Sequence, residues 1–216
     1  MRNFVTSRQM FVLLFLAAYG LSYIPILHVP FKWLEVFFHE ISHGLVAILT
    51  GGRVVSIELR PDGSGLCYYQ GGWRLLISFA GYAGAVTWGL LIYLSAKSLG
   101  RRANIIAWAL TIMIGVSTIL WARDLTTILI LMIMGGLLFI LAKFSLGIWI
   151  TSLTQFIGIY VMQSALQSPT YLLDGQASGD GAALASITFI PELIWVIIWI
   201  GIALLGFWYA WNHRGR

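Results

Sequence analysis

Long apolar runs dominate the chain, at positions 11–27, 33–49, 75–96, 105–121, 125–142, 144–166 and 190–211. Each approaches the ~20 residues that an α-helix needs to cross a bilayer. Lipid offers no partner to a backbone N–H or C=O, so such runs must close their hydrogen bonds internally, as helices. With 59% hydrophobic and 10% charged residues, against roughly a quarter charged in soluble domains, the composition excludes a water-soluble globule. The pattern predicts an all-α, multi-pass integral membrane protein with six or seven transmembrane helices, forming a single membrane-embedded domain over 1–216.

The formal net charge of +5 does not point to nucleic acid. Lys and Arg stand singly or in pairs at the ends of the runs, where they anchor helices among lipid headgroups. If all the runs cross from a cytoplasmic N-terminus, the basic residues divide evenly between the two sides. A 33–49 helix that enters and leaves by one face moves the excess to the cytoplasm, which favours a partial or re-entrant second helix. The N-terminal run, preceded by Arg2 and Arg8, is laid out like a signal peptide. No small-residue cleavage motif follows and further runs come after, so it reads as a retained helix. Cys67, the single cysteine, excludes an internal disulfide and a cysteine-built metal site.

Two connections depart from the tight turns elsewhere. In "GGRVVSIELRPDGSGLCYYQGGW", two β-branched and aromatic stretches flank the turn residues "PDGSG". This predicts a short β-hairpin over 53–70, at or just inside the membrane surface. The second, "QSPTYLLDGQASGDGAALAS", lies within a Gly- and Ser-rich loop at 167–188 carrying Asp174 and Asp180. A loop of that length in an otherwise economical chain points to function.

The chemistry is concentrated in "FKWLEVFFHEISHGLVAILTGG", where Glu35, His39, Glu40 and His43 share one apolar helix expected over 33–50. Ionisable groups in a span cost at least ~2.5 kcal/mol each on insertion scales, so they face the protein interior and have a role. His39 and His43 fall one helical turn apart on one face, able to share a metal. Glu40 is turned by ~100°, placed to meet a metal-bound water. This is the H-E-x-x-H arrangement. Zinc held by neutral imidazoles with an open position lowers the pKa of its water toward ~7, and the carboxylate takes the proton. Glu35, near Lys32, reads as its capping or snorkelling partner, and His28 and His213 as surface residues at span ends.

A catalytic zinc usually takes a third protein ligand, often a carboxylate. The candidates are Asp174, Asp180 and Glu192. Glu192 follows Pro191 at an expected helix N-terminus, where a carboxylate suits the macrodipole. That leaves Asp174 or Asp180 to close the site. Small residues at Ala80, Gly81, Gly84 and Ala85 predict close helix packing, and Gln155 and Gln163 interhelical hydrogen bonds. No oxyanion donor follows from the sequence, with Tyr68, Tyr69 and Tyr82 as candidates.

The blocks "FFHEISHGLVAILTGGRVVSIEL", "PDGSG", "GGWRLLISFAGYAGA" and "SGDGAALASITFIPELIWVIIW" resemble the site-2 protease family of intramembrane zinc metallopeptidases, in its compact bacterial branch. The resemblance implies Zn2+ held by His39, His43 and a distant Asp, with Glu40 as general base. It also implies a transmembrane or membrane-anchored protein substrate and a place in the bacterial cytoplasmic membrane. A Ser-Asp-Ala block in that branch aligns with Asp180, although Gly179 stands for the Ser and Gly181 for the Ala. "YLLDG" resembles the Leu-Asp-Gly ligand motif of larger members and makes Asp174 the alternative. An extended substrate adding as a strand to the hairpin edge is expected by the same resemblance. The rival readings are a non-proteolytic metal-binding scaffold or regulator, which would not need Glu40, and a divalent-metal transporter, which would spread ionisable residues over several spans.

Overall fold

The computed structural model describes residues 8–144, 147–173, 176 and 178–213. Helix α1 (Arg8–Leu21) is followed by α2 (Pro25–Leu49), and the two axes meet at 110°. The sequence places the break. A proline disfavours helical backbone in the residue before it, and Ile24 is extended, at φ −111 and ψ 93. Pro25 then opens α2, where its missing N–H and fixed φ suit a first helical position. The run at 11–27 is therefore not one helix, and the H-E-x-x-H helix begins well before position 33. The bent pair is either a broken span or a re-entrant element.

Strands β1 (Arg53–Leu59) and β2 (Gly65–Gln70) follow, then α3 (Arg74–Leu99), α4 (Asn104–Trp121), α5 (Leu125–Phe144) and α6 (Ile148–Gln167). A 3-10 segment (Ser168–Leu173) leads to α7 (Gly179–Thr188) and the final α8 (Glu192–Asn212). Among the described residues four helices, α3, α4, α5 and α8, are long and apolar enough to cross a membrane, or five spans if the bent pair counts as one. The expectation of six or seven is reduced at α6, whose Thr151, Thr154, Gln155 and Gln163 lower its hydropathy. All four are buried, so their polarity faces protein rather than lipid.

Helix α3 is the hub. Along α6 the backbones meet at two glycines: a Cβ on Gly89 would lie 2.8 Å from the Gly158 carbonyl oxygen, and one on Gly158 2.7 Å from the Gly89 oxygen. Its small-residue stretch turns instead toward α2, with Gly81 against His39 and His43 and Gly84 against Ser42. A core of Phe37, Phe38, Ile41, Ile57, Leu59, Ile114 and Leu131 joins α2, the strands, α4 and α5.

The strands pair antiparallel, Arg53 opposite Gln70 and Leu59 opposite Gly65, with an irregularity between Val54 and Ser56. The far end of β1 is pinned to α5, because the Leu59 N–H donates to Thr127 Oγ1 at 2.8 Å. Trp33 Nε1 donates to the Arg60 carbonyl at 3.1 Å and holds the turn over α2. The expected loop at 167–188 is largely ordered as helix: α7 spans 10 residues with Asp180 in its first turn. Ala182, Ala183, Leu184 and Ala185 are good helix formers, and they outweigh the Gly and Ser content that reads as loop.

Candidate metal centre

His39 and His43 project from α2 toward α3 and α7, one turn apart as their spacing requires. Their rings meet nearly edge to face, with centroids 4.7 Å apart and Nε2 atoms 3.0 Å apart. The start of α7 brings Asp180 onto the same point: Oδ2 lies 3.0 Å from His39 Nε2 and 3.2 Å from His43 Nε2. Among the described residues this is the one group of three His, Cys, Asp or Glu side chains close enough to hold a metal ion.

The donor set fits zinc. Ligand atoms at ~2.0–2.2 Å from a tetrahedral ion lie roughly 3.3 Å from one another, within a few tenths of an ångström of the separations here. The tautomer of His43 is also fixed. Its Nδ1 lies 2.7 Å from the Ile77 carbonyl oxygen, which only accepts, so Nδ1 carries a proton and, in the neutral ring that binds a metal, Nε2 is the nitrogen with the lone pair. Such an outer partner orients a ligating imidazole. His39 packs against Tyr82 in a T-shaped contact with centroids 4.5 Å apart, and Tyr82 rests on Trp199 of α8 at 4.7 Å. Trp199 Nε1 in turn donates to the Phe79 carbonyl at 3.1 Å.

The close approach of α3 depends on Gly81, where a Cβ would lie 2.5 Å from His39 Nε2 and 2.6 Å from His43 Cε1. Asp180 depends on both glycines beside it. Gly179 has φ +85, a region open to glycine at little cost. Gly181 lies directly beneath the Glu192 carboxylate. The two differences from the Ser-Asp-Ala pattern thus have local causes in this chain.

Glu40 is 5% exposed and lies between α2 and β2, where a Cβ on Gly65 would stand 2.9 Å from its Oε1. It lines the same cavity of about 330 Å³ as the three donors, with Tyr69, Arg74, Ser78, Tyr82 and Leu172. Cys67 lines it as well. Burial pushes that thiol up to about 12, and its sulfur is not part of the three-donor group.

Of the other residues singled out by sequence, Asp174 lies outside the described residues. Glu192 opens α8 beside α7 and is not part of the donor set. Tyr69 and Tyr82 line the cavity, whereas Tyr68 is 43% exposed. His28 is not a free surface residue, since Tyr160 Oη sits 2.5 Å from its Nδ1. Glu35 does pair with Lys32, at 2.7 Å, but at 1% exposure it is buried rather than snorkelling. Sequence reasoning did not reach Arg74, Leu172 or the Ile77 carbonyl. The first two lack any motif, and the last is a backbone atom.

A mainly helical, membrane-crossing chain with an interior His-His-Asp donor set defines a candidate membrane metalloenzyme. Residues 10–210 match the family described as Peptidase M50B-like, and the chain belongs to that family, which corresponds to the site-2 proteases. Membership implies a membrane metallopeptidase, and the family is zinc-dependent in general. No curated protein and no solved structure matches the chain.

Proposed function

We propose that this protein is an intramembrane zinc metalloendopeptidase, hydrolysing peptide bonds of transmembrane or membrane-anchored proteins. The observation that carries the reading is the convergence of His39, His43 and Asp180 within 3.2 Å in a cavity that also holds Glu40. His39 Nε2, His43 Nε2 and the Asp180 carboxylate would hold the ion. Zinc, when bound, supplies a Lewis acid and lowers the pKa of its water toward ~7. Glu40 is the general base: it takes a proton from the attacking water and passes it to the leaving amine. Burial keeps its carboxylate next to the reacting atoms and away from bulk solvent.

The substrate poses its own problem, because a helix in lipid hides its carbonyls in internal hydrogen bonds. The β2 side of the hairpin borders the cavity through Gly65, Leu66, Cys67 and Tyr69, and a locally unwound substrate adds there as an extended strand. The hairpin lies at the membrane surface, the whole of 1–216 works as one domain, and the protein resides in a bacterial cytoplasmic membrane. The scaffold alternative has no use for a buried Glu40 facing the donors. Transport is disfavoured because the donors sit at one point rather than along a path.

The test is Glu40→Gln in purified protein given a membrane-protein substrate. Cleavage falls by about 10²- to 10⁴-fold, the usual contribution of a general base, while bound zinc is unchanged. Cleavage at the wild-type rate would refute the assignment.

A further inference from the structure

One polar cluster in the membrane-embedded part is not used by the chemistry above. Glu35, one turn before His39 on α2, is 1% exposed and accepts from Lys32 Nζ at 2.7 Å. It also accepts from Ser164 Oγ, 3.1 Å away at the end of α6. The Ser168 hydroxyl, at the start of the 3-10 segment, lies 3.3 and 3.4 Å from the two carboxylate oxygens. Lys32 Nζ donates to the same Ser168 Oγ at 2.9 Å and stands 5.8 Å over the Tyr171 ring. Because the Ser168 Oγ–H has a nearer acceptor in the Ser164 carbonyl at 2.9 Å, the pair grips Ser168–Leu173 through the Lys32 ammonium, which Glu35 holds in place. That segment ends against the metal centre: Leu172 lines the cavity beside Asp180, and its Cδ2 is 2.9 Å from where a Cβ on Gly179 would stand.

Burying an ion pair gains little net stability over an apolar pair of the same shape, and breaking one is costly. A Lys-Glu pair inside a membrane protein therefore calls for a use beyond stability. We propose that Lys32 and Glu35 are positioning residues: they lock the Ser168–Leu173 segment to α2, and through Leu172 and Gly179 fix Asp180 opposite His39 and His43. Two ligands and the anchor of the third then share one helix, α2, so the third cannot drift from the others as α7 moves. This rests on the metallopeptidase reading for its purpose, but the tether itself does not.

The test uses full-length protein in detergent, with two readouts: hydrogen exchange of peptides covering 168–173 and 179–188, and zinc Kd by chelator competition. Glu35→Gln speeds exchange in those peptides by roughly tenfold, leaves α4 and α5 unchanged, and weakens zinc by about tenfold, the lower end of the cost of losing an outer support. In an Asp180→Ala background the same change weakens zinc no further, since the residue it positions is gone. Ser168→Ala, which leaves the ion pair intact, gives the same regional pattern at smaller size. Unchanged or uniformly faster exchange would overturn the proposal, as would an equal loss of zinc with and without Asp180. Regional loosening in a protein whose wild type binds no zinc would uphold the tether and refute the metal reading instead.

Discussion

Replacing Gly81 with alanine would place a methyl group into the metal centre from the side of α3. Its Cβ would lie 2.5 Å from His39 Nε2 and Cε1 and 2.6 Å from His43 Cε1, about an ångström inside normal contact. Helix propensity alone favours the change by about 1 kcal/mol. Overpacking opposes it by about 1–3 kcal/mol, and here the clash is relieved only by moving the ligands or parting the helices. His43 cannot swing aside freely, because its Nδ1–H donates to Ile77, one turn back on α3. Losing that bond costs about another 1 kcal/mol. At 1.4 kcal/mol per tenfold, zinc affinity should fall by about 10- to 100-fold. The assay is zinc Kd in detergent by chelator competition, with Gly115→Ala as control, since nothing lies within 4 Å of a Cβ there. A Gly81→Ala protein that binds zinc as tightly as the control would refute the placement of α3 against the histidines.

Further outcomes follow from the same contacts. Gly181→Ala drives a methyl group into the Glu192 carboxylate, shifting the first turn of α7, and zinc Kd should rise by about tenfold, the equivalent of ~1.4 kcal/mol. Adding Glu192→Ala makes room and should restore affinity; a double variant no better than the single would contradict the cause. Thr127→Val leaves the Leu59 N–H without its acceptor, and stability in detergent should drop by about 1–3 kcal/mol, with faster hydrogen exchange at the turn end of β1. Wild-type exchange there would show that the pin to α5 is dispensable.

The parts of the site that follow from local geometry were legible in the sequence. A spacing of four on a helix puts His39 and His43 together whatever surrounds them, and turn chemistry around Asp62 and Gly63 marks the hairpin. The third candidate donor was legible only as a choice between Asp174 and Asp180, because what joins the histidines depends on how α7 packs onto α2 and α3, which brings Asp180 into their cluster. Its neighbours Gly179 and Gly181 are glycines at one helix start, the first at φ +85 and against Leu172, the second against Glu192. Apolar runs alone count the bent pair and α6 as separate spans, whereas among the described residues four or five candidate spans are long and apolar enough, because Pro25 breaks the first run and Thr154 and Gln155 lower the hydropathy of α6. Pro25, met inside an apolar stretch, was the overlooked sign of the bend before α2. Contacts such as Ile77 with His43, or Ser168 with Glu35, join residues far apart in sequence through backbone or hydroxyl groups, and no motif encodes them.

The most direct test of the metal centre is zinc per chain in mildly purified protein, comparing wild type with Asp180→Ala and Asp174→Ala. Near one zinc in wild type and in Asp174→Ala, with a sharp fall in Asp180→Ala, is the predicted result. No zinc in wild type after reconstitution, or a loss confined to Asp174→Ala, would contradict the centre built from His39, His43 and Asp180.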